Sequence, residues 1–177
     1  LPGAKLSETH PGLNQLAAVR WLPNDFFASA EFQSRCLLYY AGITRTAHDV
    51  LGEIVRGMFL NDPNRLNILE SIADNSRDCF DAAQRFDLRT FADTIKRSWQ
   101  LNQSLDSGTS PPEITELVGR IEPHTSAFKL AGAGGGGFLY ILTKDEDHSR
   151  QLQRELLAAP PNDRARFVDV SLSRSGL

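Results

Sequence analysis

The 177-residue chain reads as an α+β domain, with the order β-α-β-β-α-β and the first helix expanded into a block of four. Three observations predict this. A continuous apolar run, Cys36-Leu37-Leu38-Tyr39-Tyr40-Ala41, is closed by Gly42 and has the character of a buried strand. Four segments of helical period then follow as far as Ile121. After Pro123 the period shortens to that of strands, with one last helix among them. The sum is the split pattern of a ferredoxin-like sheet carrying a multi-helix insertion. It predicts one antiparallel sheet with helices on one face.

Residues 1–35 are expected to be an irregular lead-in belonging to an absent upstream domain, punctuated by Pro2, Gly3, Pro11, Gly12 and Pro23. Within it, Val19 to Leu22 suits a short strand, and Phe26 and Phe27 suit a turn or short helix packed on the body. The domain proper is expected over 36–177. Tyr39 and Tyr40 are expected in its core.

The first helix carries Ala47, Val50, Leu51, Ile54, Val55, Met58 and Phe59, an uninterrupted i, i+3, i+4 progression. Thr44 or Thr46 can cap it, and Pro63 ends it. The second helix, over about 64–84, turns Leu69, Ile72, Ala73, Ser76, Phe80 and Ala83 to one face. The third runs from an Asp87 cap to about Ser104, with Leu88, Phe91, Ile95 and Trp99 as its stripe. Asn102 falls on that stripe where an apolar residue is expected. Ser110 and Glu113 form a capping box before the fourth stripe of Ile114, Leu117, Val118 and Ile121.

Ala127 to Leu130 and Phe138 to Leu142 are strands joined by a glycine loop over 131–137. Thr143 and Glu146 form a second capping box, opening a helix to about Ala158 with Leu152, Leu156 and Leu157 inside. Pro160-Pro161-Asn162-Asp163 is a turn. Arg166 to Leu172 alternates as a half-buried strand with Val168, Val170 and Leu172 inward.

Composition excludes several classes. Hydrophobic residues make up 41% and charged ones 23%, so neither disorder nor a coiled-coil array fits. No apolar run approaches the ~20 residues of a membrane span. With 19 basic and 22 acidic residues the net charge is −3, which leaves no electrostatic footprint for nucleic acid or an anionic membrane surface. Cys36 and Cys79 are expected as isolated buried thiols, suited to a reducing, cytoplasmic setting. The chain opens Leu1-Pro2-Gly3, and its one methionine is Met58, so it is expected to be a piece of a longer product.

The loop Lys129-Leu130-Ala131-Gly132-Ala133-Gly134-Gly135-Gly136-Gly137 carries the strongest chemical signal. Bare main chain admits positive φ and lets N–H groups approach an anion, which they can cradle as a nest. A dinucleotide fingerprint requires a helix directly after the glycines, and here a strand follows. A Walker A loop requires Gly-Lys-Ser/Thr, which is absent. A mere hairpin turn needs two residues, not four consecutive glycines.

Asn102 to Thr109 is dense in small polar groups at a helix end. It reads equally as a helix terminator and as a polar shelf for sugar hydroxyls. Gly42-Ile43-Thr44-Arg45 leads from strand to helix, where Arg45 suits either a phosphate or a surface ion pair. His10, His48, His124 and His148 show no metal-ligand spacing, and no serine sits in a G-x-S-x-G elbow.

The stretch from Lys129 to Phe138 resembles the third conserved motif of the GHMP small-molecule kinases, whose C-terminal domain is ferredoxin-like with added helices. Leu38 to Ala47, Glu53-Ile54-Val55, Met58 to Asn61, Leu105 to Thr109 with Pro111-Pro112, and Ala165 to Val168 resemble the L-fucokinase branch. The likeness covers about residues 5 to 175.

It implies ATP-dependent phosphorylation of the anomeric hydroxyl of L-fucose, with Mg2+ bridging the phosphates. By that likeness Gly132, Ala133, Gly134, Gly135, Gly136 and Gly137 lie by the ATP phosphates. Asp106, Ser107, Gly108, Thr109 and Arg45 lie by the sugar. No catalytic residue and no protein metal site is assigned. The family's Pro-x-x-x-Gly-Leu-Gly-Ser-Ser phosphate loop is not in this sequence, nor is its first motif. The chain is therefore expected to need an upstream GHMP domain of the same polypeptide, and to be inactive alone. A heptose phosphate kinase of the same family, or an anion-binding regulatory module without chemistry, remain alternatives.

Overall fold

The computed structural model describes residues 3–9, 16–43, 52, 55, 58–132 and 134–171. In chain order the elements are β1 (Lys5–Thr9), β2 (Ala17–Trp21), α1 (Asn24–Ala28), α2 (Ala30–Arg35), β3 (Cys36–Tyr40), α3 (Pro63–Gln84), α4 (Leu88–Leu105), α5 (Pro112–Ile121), β4 (Thr125–Leu130), β5 (Phe138–Thr143), α6 (Glu146–Ala158) and β6 (Arg166–Val168). Short 3-10 turns at Ser107–Thr109 and Glu122–His124 flank α5. The expected helix over 47–59 lies almost wholly outside the described residues.

The last four strands form one sheet in the order β4-β5-β3-β6, antiparallel throughout. This is the split β-α-β-β-α-β arrangement: β5 inserts between β3 and β4, which are joined by the helical block. Tyr39 pairs with Leu139, and Leu139 with Leu130, so these residues share one face. The register is fixed because a one-residue slip would turn this apolar set outward.

Helices cover both faces of the sheet, not one as the pattern predicts. On the first face, Tyr39, Leu130, Leu139 and Ile141 pack against Ile114, Leu117 and Ile121 of α5 and Leu152 and Leu156 of α6. On the second, Ala127 and Leu142 pack against Phe91 and Ala92 of α4, Ala82 and Ala83 of α3, and Phe26 and Phe32. The sequence carries the reason. Phe138 to Leu142 is apolar without alternation, as a strand buried on both sides requires.

The lead-in is not irregular. Its strands β1 and β2 pair as an antiparallel hairpin, and α1 and α2 deliver Phe26, Phe27 and Phe32 to the second core. Phe26 is 3% exposed and meets four aromatic rings at centroid distances between 5.0 and 5.9 Å. The segment is anchored by aromatic burial, a term that turn residues in the sequence do not reveal.

Several local expectations need correction. Neither capping box forms. Ser110 instead accepts a hydrogen bond from Gln103, and Pro111 caps α5 without a side-chain bond. The Thr143 hydroxyl donates to the carbonyls of Arg35 and Asp145, and Asp145 caps α6 by accepting from the His148 N–H. The last strand stops at Val168, and Val170 is 50% exposed. Tyr39 is core as expected, whereas Tyr40 is half-buried against Phe138 with the Arg166 guanidinium over its ring. Among the described residues no helix is long and apolar enough to cross a membrane.

If the lead-in is structural, Phe26→Ala should lower stability by about 3–5 kcal/mol in chemical denaturation, as truncation of a buried aromatic ring does. An unchanged midpoint would mean that residues before β3 are detachable.

Candidate functional site

Three segments meet at one end of the sheet: the glycine loop between β4 and β5, the end of α4 with its 3-10 turn, and the exit of β3 at Ala41–Ile43. Sheet topology brings them together, because β5 lies beside β3 and the loop emerges where β3 ends. The Ala41 N–H donates to the Gly137 carbonyl at 2.9 Å, and the Gly137 N–H donates to the Ile43 carbonyl at 2.8 Å. On the other side the Gly135 N–H donates to the Thr109 carbonyl at 2.8 Å.

These contacts need main chain without Cβ. Gly134 has φ +93°, and a Cβ there would stand 2.5 Å from the Thr109 methyl and 3.0 Å from its carbonyl oxygen. At Gly136, with φ +152°, it would stand 2.6 Å from the Ile43 carbonyl oxygen. Glycine is thus required here both by conformation and by space. The loop is wedged between two backbone segments.

The helix α4 frames the loop's approach. Ser98 and Asn102 are i, i+4 neighbours on one face. Lys129 of β4 donates to the Ser98 hydroxyl at 2.7 Å, and the Asn102 carboxamide donates to the Gly132 carbonyl at 3.2 Å. Burial holds the Lys129 ammonium below the ordinary lysine range. The Asn102 carbonyl in turn accepts from the Thr109 hydroxyl at 3.2 Å and from the Asp106 N–H at 3.1 Å.

The expected site residues therefore divide. Gly132 is exposed, and Gly134, Gly136 and Gly137 are half-buried, so the loop keeps an accessible surface. Gly135 is buried, and its N–H, like that of Gly137, is used inside the fold. The N–H groups of Gly135 and Gly137 are therefore taken within the fold and not offered to an anion. Asp106 caps the 3-10 turn by accepting from the Gly108 N–H. Ser107 opens that turn. Thr109 is 1% exposed, its hydroxyl donates to the Asn102 main-chain carbonyl, and its own carbonyl accepts from the Gly135 N–H. Ala133 and Arg45 lie outside the described residues.

Sequence reading missed Ile43 as the loop's second wall, which no motif marks. It noticed Asn102 as a polar residue in an apolar stripe and as the start of a polar helix end, but not as a partner of the Gly132 carbonyl. An apolar cavity of about 340 Å³ between Phe27, Phe32, Phe91 and Tyr140 belongs to the second core and touches none of the glycines.

Residues 79–162 match the family model described as GHMP kinases C terminal. The chain carries a GHMP kinase C-terminal domain. Over 176 residues, 99% of this chain, it is 42% identical to L-fucokinase/L-fucose-1-P guanylyltransferase of Bacteroides fragilis. It is 30% identical over 88% of its length to a bifunctional fucokinase/GDP-fucose pyrophosphorylase of Arabidopsis thaliana. The chain spans 18% and 15% of those two relatives, so each is much the longer. The crystal structure of Leishmania major mevalonate kinase in complex with R-mevalonate superposes with a TM-score of 0.67. That match covers 92% of this chain and 47% of the other at 17% identity, a likeness of fold.

Among the described residues no group of three His, Cys, Asp or Glu side chains is placed to hold a metal ion.

Gly134 and Gly137 provide a matched pair, with φ of +93° and +84° but only open space around a Cβ at Gly137. Gly137→Ala should cost about 1–2 kcal/mol of stability, from conformation alone. Gly134→Ala should cost at least ~1 kcal/mol more, from the overlap with Thr109. Denaturation midpoints read the difference, and equal losses would mean that the wedge is not tight.

Proposed function

We propose that this domain is the C-terminal part of an ATP-dependent sugar kinase that phosphorylates the anomeric hydroxyl of L-fucose to fucose 1-phosphate. The observation that carries the reading is the glycine-rich loop, fixed on both sides by backbone hydrogen bonds at Gly135 and Gly137, next to the polar end of α4. Identity to a fucokinase over nearly the whole chain supports the sugar.

Phosphoryl transfer asks a protein for positioning and charge stabilisation more than for covalent chemistry. A loop of small residues with partly accessible main chain suits that demand, because few side-chain atoms stand between phosphate oxygens and its N–H groups. The rigid seat on Thr109 and Ile43 keeps that surface from collapsing onto the sheet. ATP would bring Mg2+ on its own phosphates, and the remaining contacts would come from an upstream GHMP domain of the same polypeptide. On this reading the 177-residue chain alone binds ATP weakly or not at all and does not turn over.

The full-length polypeptide should release ADP in the presence of ATP, Mg2+ and L-fucose and form fucose 1-phosphate. The isolated chain should not. Phosphorylation of heptose phosphates with fucose left untouched would overturn the sugar assignment. In the full-length polypeptide, Gly134→Val should lower turnover at least ~100-fold, the scale of loss when a reacting group is misplaced by about 1 Å. Wild-type turnover would remove the loop from the reaction.

A further inference from the structure

Asn102 is the anomaly of the helical pattern. It occupies the position on α4 where Leu88, Phe91, Ile95 and Trp99 lead one to expect another apolar residue. An apolar residue there would extend the stripe and suit the helix at least as well. The half-buried carboxamide is therefore poorly explained by packing.

What Asn102 does touch is the loop, by two routes. Its side chain donates to the Gly132 carbonyl, where the chain leaves β4 and enters the glycines. Its main-chain carbonyl holds the Thr109 hydroxyl, and the Thr109 carbonyl receives the Gly135 N–H. One turn earlier on the same helix face, Ser98 holds Lys129. Gly132 directly and Gly135 through Thr109 are thus both referenced to a single rigid helix. Bonds from a helix fix direction better than loop-to-loop contacts, because the helix's own backbone is already ordered.

We propose that Asn102 is a positioning residue, setting the pose in which the glycine loop meets the transferred phosphate. Its carboxamide acts through the Gly132 carbonyl and touches neither substrate. The proposal rests on the reading of the loop as the phosphate-facing wall.

The test is Asn102→Leu in the full-length polypeptide, assayed beside Gly134→Val. Leucine completes the apolar stripe, so the thermal midpoint should stay within about 2 °C of wild type or rise. The kcat with ATP and L-fucose should fall at least ~10-fold, with the KM for fucose held within about twofold. A wild-type kcat in Asn102→Leu, or a fall in kcat that comes with a clear loss of midpoint, would overturn the positioning role and leave Asn102 structural. If Gly134→Val is itself fully active, the loop reading fails. If Gly134→Val is inactive while Asn102→Leu is not impaired, only the Asn102 proposal fails.

Discussion

Backbone packed on backbone at Gly134 and Gly136 is the constraint on which the rest of this structure depends. At both positions a single added carbon would meet main-chain atoms at 2.6 to 3.0 Å. Such contacts cannot be relieved by a side-chain rotation, as overlap with a flexible terminus can. The loop must therefore remain glycine or move. Because it remains glycine, it can be both narrow and ordered, a combination that a long flexible turn would not supply.

The surrounding fold serves that geometry. The order β4-β5-β3-β6 sets the loop beside the end of β3, so that Ile43 forms one wall. The insertion between β3 and β4 supplies α4, whose last turns and 3-10 continuation form the other. Two cores, one on each sheet face, keep the strands from shearing past each other. The aromatic cluster around Phe26 and Phe91 joins the lead-in hairpin to the same framework, so the second face is closed by residues far from the sheet in sequence.

Much of this was legible from periodicity. The helices α3, α4, α5 and α6 and the four sheet strands stand near their expected places, because long stripes such as Ile114, Leu117 and Ile121 admit one reading. Capping failed where another partner took the hydroxyl expected to cap. Ser110 and Thr143 both have the right neighbour three positions on, but tertiary partners, Gln103 and the Arg35 carbonyl, take them instead. In the lead-in the strand ending at Trp21 and the packing of Phe26 and Phe27 match expectation, whereas the partner strand Lys5–Thr9 and the helix Ala30–Arg35 do not show through its Pro and Gly turn signals. At the site, the glycine run was evident, yet its partners were not. Ile43 acts through its carbonyl oxygen, a group every residue has, and only topology shows which carbonyl is used. Thr109 illustrates the opposite case: a polar residue beside a site that proves to be an internal brace.

The most direct test of the central claim is a crystal structure of the full-length polypeptide with L-fucose and a non-hydrolysable ATP analogue. The account predicts phosphate oxygens at hydrogen-bond distance, about 3 Å, from main-chain N–H groups between Gly132 and Gly137, with the Gly135–Thr109 and Gly137–Ile43 bonds intact. A nucleotide bound with its phosphates remote from this loop, or a loop released from Thr109 and Ile43 on binding, would contradict it.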